Sequence, residues 1–294
     1  MIPARFDYVA PPDVTSCVEA LSEDGRLLAG GTWVLPEMGR SESGPTRLVD
    51  LRHAGLGTIE DQGSGVHLGA MCTYADVLAS APIQHHVPLL RQMALGVTGG
   101  VALRNQATLG GSAAAVRPQS DVPAALVASG AEAVTSGPEG ERRLPVQALF
   151  VSAMTNALLP GEVLLGFDLP SSHHAGHGYV KLKRGASSWP IATAGSTMRL
   201  DQAGRCREVT LALGGVSAVP LLVDLSSMMV GEVPDEELLR AASEQAGAAV
   251  RDPWEDALAP AEYRAAVAAP VARRSLTMAR DNAGAAGRGG PGGR

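Results

Sequence analysis

Cysteine is scarce in this chain: three residues in 294, Cys17, Cys72 and Cys206, each far from the others. That spacing excludes a disulfide framework and a C-x-x-C metal knuckle. It also excludes an iron–sulfur cluster held by the chain's own thiolates. No run of about 18 uninterrupted apolar residues is present, so no membrane insertion is expected. The opening stretch MIPARFDYVAPPD lacks the apolar core of a secretory signal, and a cytoplasmic location is the expectation. Positive charge is in deficit, with 24 Lys and Arg against 30 Asp and Glu and a net charge of −6. With a pI near 5.7 and no local basic patch, nucleic acid is not an expected partner. Internal repeats are missing. So are the G-x-G-x-x-G fingerprint of Rossmann dinucleotide sites and the G-x-S-x-G nucleophile elbow of hydrolases.

What is present reads as a globular protein, with 45% hydrophobic and 18% charged residues. The length is generous for one core, and two or three domains are the normal partition. Val14, Cys17, Val18 and Leu21 have helical spacing, and a stop is expected at Gly25. "RLLAGG" and "TRLVDLRH" read as flanking strands, so the first fifty or so residues form a small α/β unit. "VHLGAMCTYADVLAS" is a strand and then a helix, with Thr73 at the N-cap and Asp76 in capping-box position. "VPLLRQMALGV" is a further helix, and "DVPAALVASGAEAVTS" a helix that breaks at Gly130 and resumes as a strand. From about Tyr179 the strands lengthen: "GYVKLKR", "ATAGSTMRL" and "REVTLALGGV" predict an antiparallel sheet with helices at 235–247 and 260–280 beside it. The Gly-rich end, residues 283–294, is expected to be disordered.

Two glycine pairs interrupt apolar runs. In "LLAGGTWVLP" (27–36) Leu27–Ala29 end a strand, Gly30 and Gly31 permit a sharp turn, and Thr32 is placed to cap a following helix. In "RNQATLGGSAAAVRPQSDVPAAL" (104–126) Leu109 precedes Gly110 and Gly111, followed by Ser112 and small alanines. "PQSDVP" then sets a turn in which Ser120 or Asp121 can face the same cleft. Backbone N–H groups from both pairs would bracket one pyrophosphate; two unrelated tight turns are the plain alternative.

In order along the chain, "FDYVAPP", "LLAGGTWVLP", "RNQATLGG" and "RPQSDVPAAL" resemble the motifs of the FAD-binding medium subunit of the molybdenum hydroxylases. This is the family of the carbon monoxide dehydrogenase and xanthine dehydrogenase flavoproteins. "YVKLKR", "LALGGVSAVP" and "AEYRAAVAAPVARRSL" resemble its C-terminal domain, and the likeness runs from residue 5 to about 280. It implies an α+β flavoprotein: a two-part FAD-binding domain of the vanillyl-alcohol oxidase and MurB (PCMH) type, then a sheet-plus-helices domain. The implied limits are 1–57 and 58–176 for the two FAD-binding subdomains and 177–282 for the C-terminal domain.

The same resemblance implies FAD as cofactor and carries roles to particular positions. Ala29, Gly30, Gly31, Thr32 and Leu35 would form the first pyrophosphate loop, and Thr108, Leu109, Gly110, Gly111 and Ser112 the second. Asp121 would reach the sugar–polyol region. Lys181 would lie near the flavin and steady its reduced, anionic form. Trp189 would take the aromatic place beside the isoalloxazine, although "SSWPIA" departs there from the family's usual "GDYA". Arg104 and Asn105 are read as holding the second loop. The implied partners are a 2Fe-2S small subunit and a molybdopterin large subunit, in a heterotrimer that can pair. The implied function is electron transfer to an external acceptor. Two other readings stay open: a self-contained flavin oxidase working beside Trp189, and an FAD-binding scaffold without redox partners.

His173, His174 and His177 have spacing that suits a metal, yet their Ser, Gly and Ala surroundings indicate a flexible inter-domain connector, and no metal is expected. Asp252, Glu255 and Asp256 read as a solvated helix start.

Overall fold

The computed structural model describes residues 5–21, 24–41 and 44–286. Strand and helix alternate at the start: β1 (Asp7–Val9), α1 (Val14–Ala20), β2 (Gly25–Leu28), α2 (Val34–Met38) and β3 (Arg47–Asp50). Such alternation produces a parallel sheet. Its order is β1-β3-β2, with β3 parallel to both neighbours and its Leu48 and Val49 buried. Helix α1 starts where the Asp13 carboxylate accepts the Ser16 amide at 2.7 Å, which satisfies a first-turn donor. It ends before the expected stop: Leu21 N–H turns back to Cys17 O at 3.1 Å, and Gly25 opens β2 instead. Thr32 does not cap α2. The left-handed turn at Gly31 (φ 69°) leaves Thr32 and Trp33 in the turn itself, and helical bonding begins with Leu35 N–H on Gly31 O at 3.1 Å.

After β4 (Ile59–Asp61) and β5 (Gly65–Gly69) come α3 (Tyr74–Ala79), α4 (Ala81–His86), α5 (Pro88–Gly96), α6 (Gly100–Gln106), α7 (Leu109–Ala114) and α8 (Val122–Ala128). The strands then resume as β6 (Glu132–Gly137), β7 (Gly140–Pro145), a small pair β8 (Phe150–Ser152) and β9 (Thr155–Asn156), and β10 (Val163–Pro170). They close an antiparallel sheet in the order β4-β5-β10-β6-β7. Helix α3 carries the expected capping box, with the Thr73 hydroxyl accepting Asp76 N–H at 3.2 Å and Asp76 accepting Thr73 N–H at 2.8 Å. Gly130 (φ 65°) makes the expected break between α8 and β6.

The last unit is the antiparallel sheet β11-β12-β13-β14, built from β11 (Gly176–Lys183), β12 (Pro190–Leu200), β13 (Cys206–Gly214) and β14 (Leu221–Val223). Helices α9 (Ser226–Met229), α10 (Glu236–Ala248) and α11 (Ala261–Ala286) follow. One face of this sheet shares a core with α10 and α11, in which Leu211, Leu213, Leu239, Val271 and Leu276 are buried. The other face meets α5 and α8: a Cβ on Gly195 would stand 3.2 Å from Ala128 Cβ, and one on Gly214 2.9 Å from Ala124 Cβ. The sheet is therefore sandwiched, and it locks the C-terminal unit against the middle one.

Two expectations are corrected here. Residues 283–286 are helical rather than disordered, because Ala283 is buried where α11 crosses the side-chain-free Gly176; residues 287–294 lie outside the described residues. Asp256 is not a solvated surface charge. It accepts from Trp254 Nε1 at 3.1 Å and pairs with Arg264, whose fully buried guanidinium also donates to Ile191 O and Gly215 O. A buried guanidinium requires such a partner.

Candidate functional site

Segments 29–34 and 108–115, about eighty residues apart in sequence, meet in space. The turn after β2 lies at the carboxyl end of a parallel strand, where α/β sheets place ligand crevices. A Cβ on Gly30 would stand 2.0 Å from Gln106 O and 3.1 Å from Ala107 Cα. Only glycine lets the first segment lie against the end of α6. A Cβ on Gly110 would fall 2.5–2.7 Å from Ala70 atoms, and one on Gly111 2.8 Å from Thr108 Oγ1 and 3.6 Å from Ala29 Cβ. The glycines thus bring three backbone segments together around one opening. That opening is a cleft of about 400 Å³ lined by Ala29–Val34, Ala70, Met71, Thr108, Gly110–Ser112 and Arg117.

The two segments offer different chemistry. Among the described residues, the amides of Gly30, Gly31 and Thr32 donate to no protein acceptor. Consecutive free N–H groups in a turn make an anion-binding concavity. The second segment is the first turn of α7 rather than an open loop. Its donors are engaged: Gly110 N–H on Ala70 O at 3.0 Å, Gly111 N–H on Thr108 Oγ1 at 3.2 Å, and Ser112 N–H on Thr108 O at 3.0 Å. The Ser112 hydroxyl donates to Thr108 O at 2.8 Å and lies 2.9 Å from the buried Tyr74 hydroxyl. Segment 108–112 supplies a close wall, and segment 30–32 supplies the donors.

A second cavity of about 50 Å³ adjoins the cleft through Thr32, Trp33 and Ser112, and is bounded also by Tyr74, Ser120, Asp121 and Trp189. Asp121 is 3% exposed. One carboxylate oxygen accepts the Tyr179 hydroxyl and the other accepts Lys181 Nζ at 2.8 Å. Burial pushes the Asp121 carboxyl upward, and Lys181 and Tyr179 oppose that shift. Burial likewise raises the Tyr74 and Tyr179 phenols, which stay protonated as donors at neutral pH. Lys181 is pinned from its other side by Gly96 O at 3.1 Å.

Trp33, which lines both cavities, stacks on Trp189, which lines the smaller one, with ring centroids 4.9 Å apart and planes at 27°. The Arg117 guanidinium lies 4.6 Å from the Trp33 ring, within cation–π range. Of the residues singled out from sequence, Ala29, Gly30, Gly31, Thr32, Thr108, Gly110, Gly111 and Ser112 line the cleft, and Asp121 and Trp189 line the smaller cavity. Leu109 is buried in the core, Leu35 packs beside Gly31, and Lys181 stands behind Asp121; these three line neither. Arg104 and Asn105 lie on α6, outside both. Sequence reasoning missed Trp33, Arg117, Tyr74 and Ala70. Trp33 alone left a signal, a large aromatic set directly after a Gly-Gly-Thr turn.

Comparison with known proteins extends this geometry. Residues 4–172 match the family described as FAD binding domain in molybdopterin dehydrogenase, and residues 177–279 match the CO dehydrogenase flavoprotein C-terminal domain. The carbon monoxide dehydrogenase medium chain of Hydrogenophaga pseudoflava is 33% identical over 286 residues, covering 95% of this chain and 98% of that protein. A solved carbon monoxide dehydrogenase from the same organism, lacking the Mo-pyranopterin moiety of its molybdenum cofactor, superposes with a TM-score of 0.90 at 32% identity, covering 96% of this chain and 99% of that one. Quinoline 2-oxidoreductase from Pseudomonas putida 86 superposes with a TM-score of 0.88 at 26% identity, covering 96% and 99%.

Proposed function

This chain belongs to the family of FAD-binding subunits of the molybdopterin dehydrogenases, and on that premise we propose that it is the electron-relaying flavoprotein of a molybdenum-containing hydroxylase. Its cofactor is FAD and it is an oxidoreductase subunit. FAD, when bound, supplies both one-electron and two-electron redox chemistry. A 2Fe-2S small subunit delivers the electrons, a molybdopterin large subunit oxidises the substrate, and an external acceptor takes the electrons away. The assembly is a heterotrimer in the cytoplasm. Among the described residues no helix is long and apolar enough to cross a membrane.

The residues present suit FAD. Gly30, Gly31 and Thr32 offer free amides to a diphosphate, and a side chain at Gly30 or Gly110 would force apart the backbones that form the cleft. Ala29, Leu35 and Thr108–Ser112 shape and support that end of the site. Asp121 is assigned to the sugar–polyol region, with Lys181 and Tyr179 holding its carboxylate in place. Trp189, stacked on Trp33, is assigned to the ring end. The division into subdomains at 1–57 and 58–176, with a C-terminal domain from 177 onward, is part of the same proposal.

The carrying observation is the meeting of the two glycine segments around a cleft with free amide donors on one side only. The self-contained oxidase finds no matching support. The relatives matched along nearly their whole length are named as medium chains or subunits of larger dehydrogenases, which favours the relay. The test is direct. Purified protein is expected to be yellow and to release FAD, not FMN, on denaturation, as read by chromatography of the supernatant. A colourless protein that binds no added FAD overturns the proposal.

A further inference from the structure

Away from the cleft, four of the seven histidines gather at one place. His85 and His86 end α4, and His173 and His174 lie in the connector between β10 and β11. The His85 and His86 ring centroids are 4.6 Å apart, His85 and His173 5.1 Å, and His173 and His174 3.5 Å. One ring nitrogen from each of His85, His86 and His173 lies within 4.8 Å of the other two. We propose that His85, His86 and His173 bind a divalent transition-metal ion of the zinc class, clamping the end of α4 to the connector between the two large sheets.

The three rings are not equivalent, and the difference is what a metal site requires. His86 is 4% exposed. Its Nδ1 lies 2.8 Å from Ser171 Oγ and its Nε2 3.1 Å from Asp61 Oδ1. A hydroxyl on one ring nitrogen fixes the orientation of the ring, as outer partners do for ligating histidines. The other nitrogen faces a carboxylate that favours a cation. His85 and His173 are exposed, so their rings can turn to reach the zinc–nitrogen distance of about 2.0–2.1 Å. Basic side chains at a helix C-terminus also complement its dipole. That accounts for the two rings on the helix end, not for His173 and His174 brought beside them from the connector.

The connector is also built for a fixed position. Ser172 N–H donates to His86 O at 2.8 Å and the Ser172 hydroxyl to the same oxygen at 3.2 Å, while Ser171 Oγ lies 2.8 Å from His173 Nδ1. The Ser, Gly and Ala around these histidines therefore form a stitched crossing rather than a slack one. His177, which shares the sequence cluster, faces elsewhere: it is buried in β11 with Nε2 2.9 Å from Ser172 Oγ.

The test uses the full-length, FAD-loaded chain, stripped with a chelator and dialysed against zinc chloride. Bound zinc is counted by elemental mass spectrometry, and melting curves are taken with and without zinc. Wild type and the remote surface variant His53→Gln are expected to bind one equivalent and to melt higher with zinc. The double variant His85→Gln/His173→Gln changes only exposed rings and keeps the fold. It is expected to bind at least about tenfold more weakly, with no zinc-dependent rise in melting temperature. Wild type that takes up no zinc, or a double variant that binds it as tightly as wild type, overturns the proposal.

Discussion

Gly30 and Gly110 show how much of a site one residue type can announce. Each glycine pair stands out in the sequence because it breaks an apolar run, and a turn with free amides is a sound inference from it. The reason for Gly30 is visible only in three dimensions: Gln106 O occupies the place of its Cβ at 2.0 Å. Nothing local to residue 30 could reveal that contact. For the same reason Thr32 looked like a helix cap and is not one, since the positive φ at Gly31 shifts the helix start beyond it. Gly30→Ala is therefore a test of packing before it is a test of ligand space. It is expected to cost about 1–3 kcal/mol, the usual cost of overpacking, and to abolish FAD retention. Denaturant midpoints and the flavin-to-protein absorbance ratio measure the two effects separately. Gly110→Val, which meets Ala70 backbone, is expected to do the same, and retained flavin in both variants would contradict this account of the cleft.

Elements were legible in proportion to their period. Helices α10 and α11 and strands β11 to β13 are long enough for apolar spacing to declare itself, and Thr73 with Asp76 marks the start of α3 unaided. Helix α7 was not legible. Its residues "LGGSAA" hold two glycines, poor helix formers, and no apolar period, and tertiary contacts with Ala70 and Ala29 hold it. Strand β7, "GERRLP", is mostly exposed and polar, so no alternation betrays it. Strand β7 is held by its antiparallel pairing with β6 and by an ion pair: Arg142 Nη2 lies 2.6 Å from Glu162 Oε2, beside β10. Glu162 also accepts from Thr135 at 2.9 Å and from Leu159 N–H at 2.7 Å. Arg142 above all, with the Leu159 and Thr135 donors, brings its carboxyl from near 4.5 down to about 2. A carboxyl depressed by folding stabilises above its unfolded value and loses that contribution as pH falls toward its folded value. Stability on the order of 3 kcal/mol is thus expected to disappear between about pH 4.5 and 2. Glu162→Gln is expected to be weaker at neutral pH and to show a flatter acid limb in urea titrations. An unchanged gap between variant and wild type from pH 7 down to pH 2 would contradict it.

At the scale of the whole molecule the sandwiching of the C-terminal sheet sets the surroundings of Trp189, the residue proposed for the flavin's ring end. Helices α5 and α8 pack on one face of β11–β13, and this brings Trp189, at the entry to β12, over Trp33 from the first unit. Trp33 lines both the 400 Å³ cleft and the 50 Å³ cavity, and Trp189 lines the cavity. The buried cysteines, Cys17, Cys72 and Cys206, are too dispersed to carry a metal cluster. On the proposed relay, substrate oxidation occurs in another chain, so substrate range belongs to the assembly and not to Trp189. Two outcomes follow together. The purified FAD-loaded chain is expected to oxidise small organic compounds slowly or not at all, with turnover appearing when the 2Fe-2S and molybdopterin subunits are added. Trp189→Tyr is expected to shift the flavin absorption spectrum through the lost indole, while the assembled enzyme keeps its order of preference among substrates. Steady-state rates over a panel of aldehydes and N-heterocycles, measured with the chain alone and then with the assembly, separate the cases. Rapid oxidation by this polypeptide alone, with a substrate order that changes in Trp189→Tyr, would replace the relay with a self-contained oxidase.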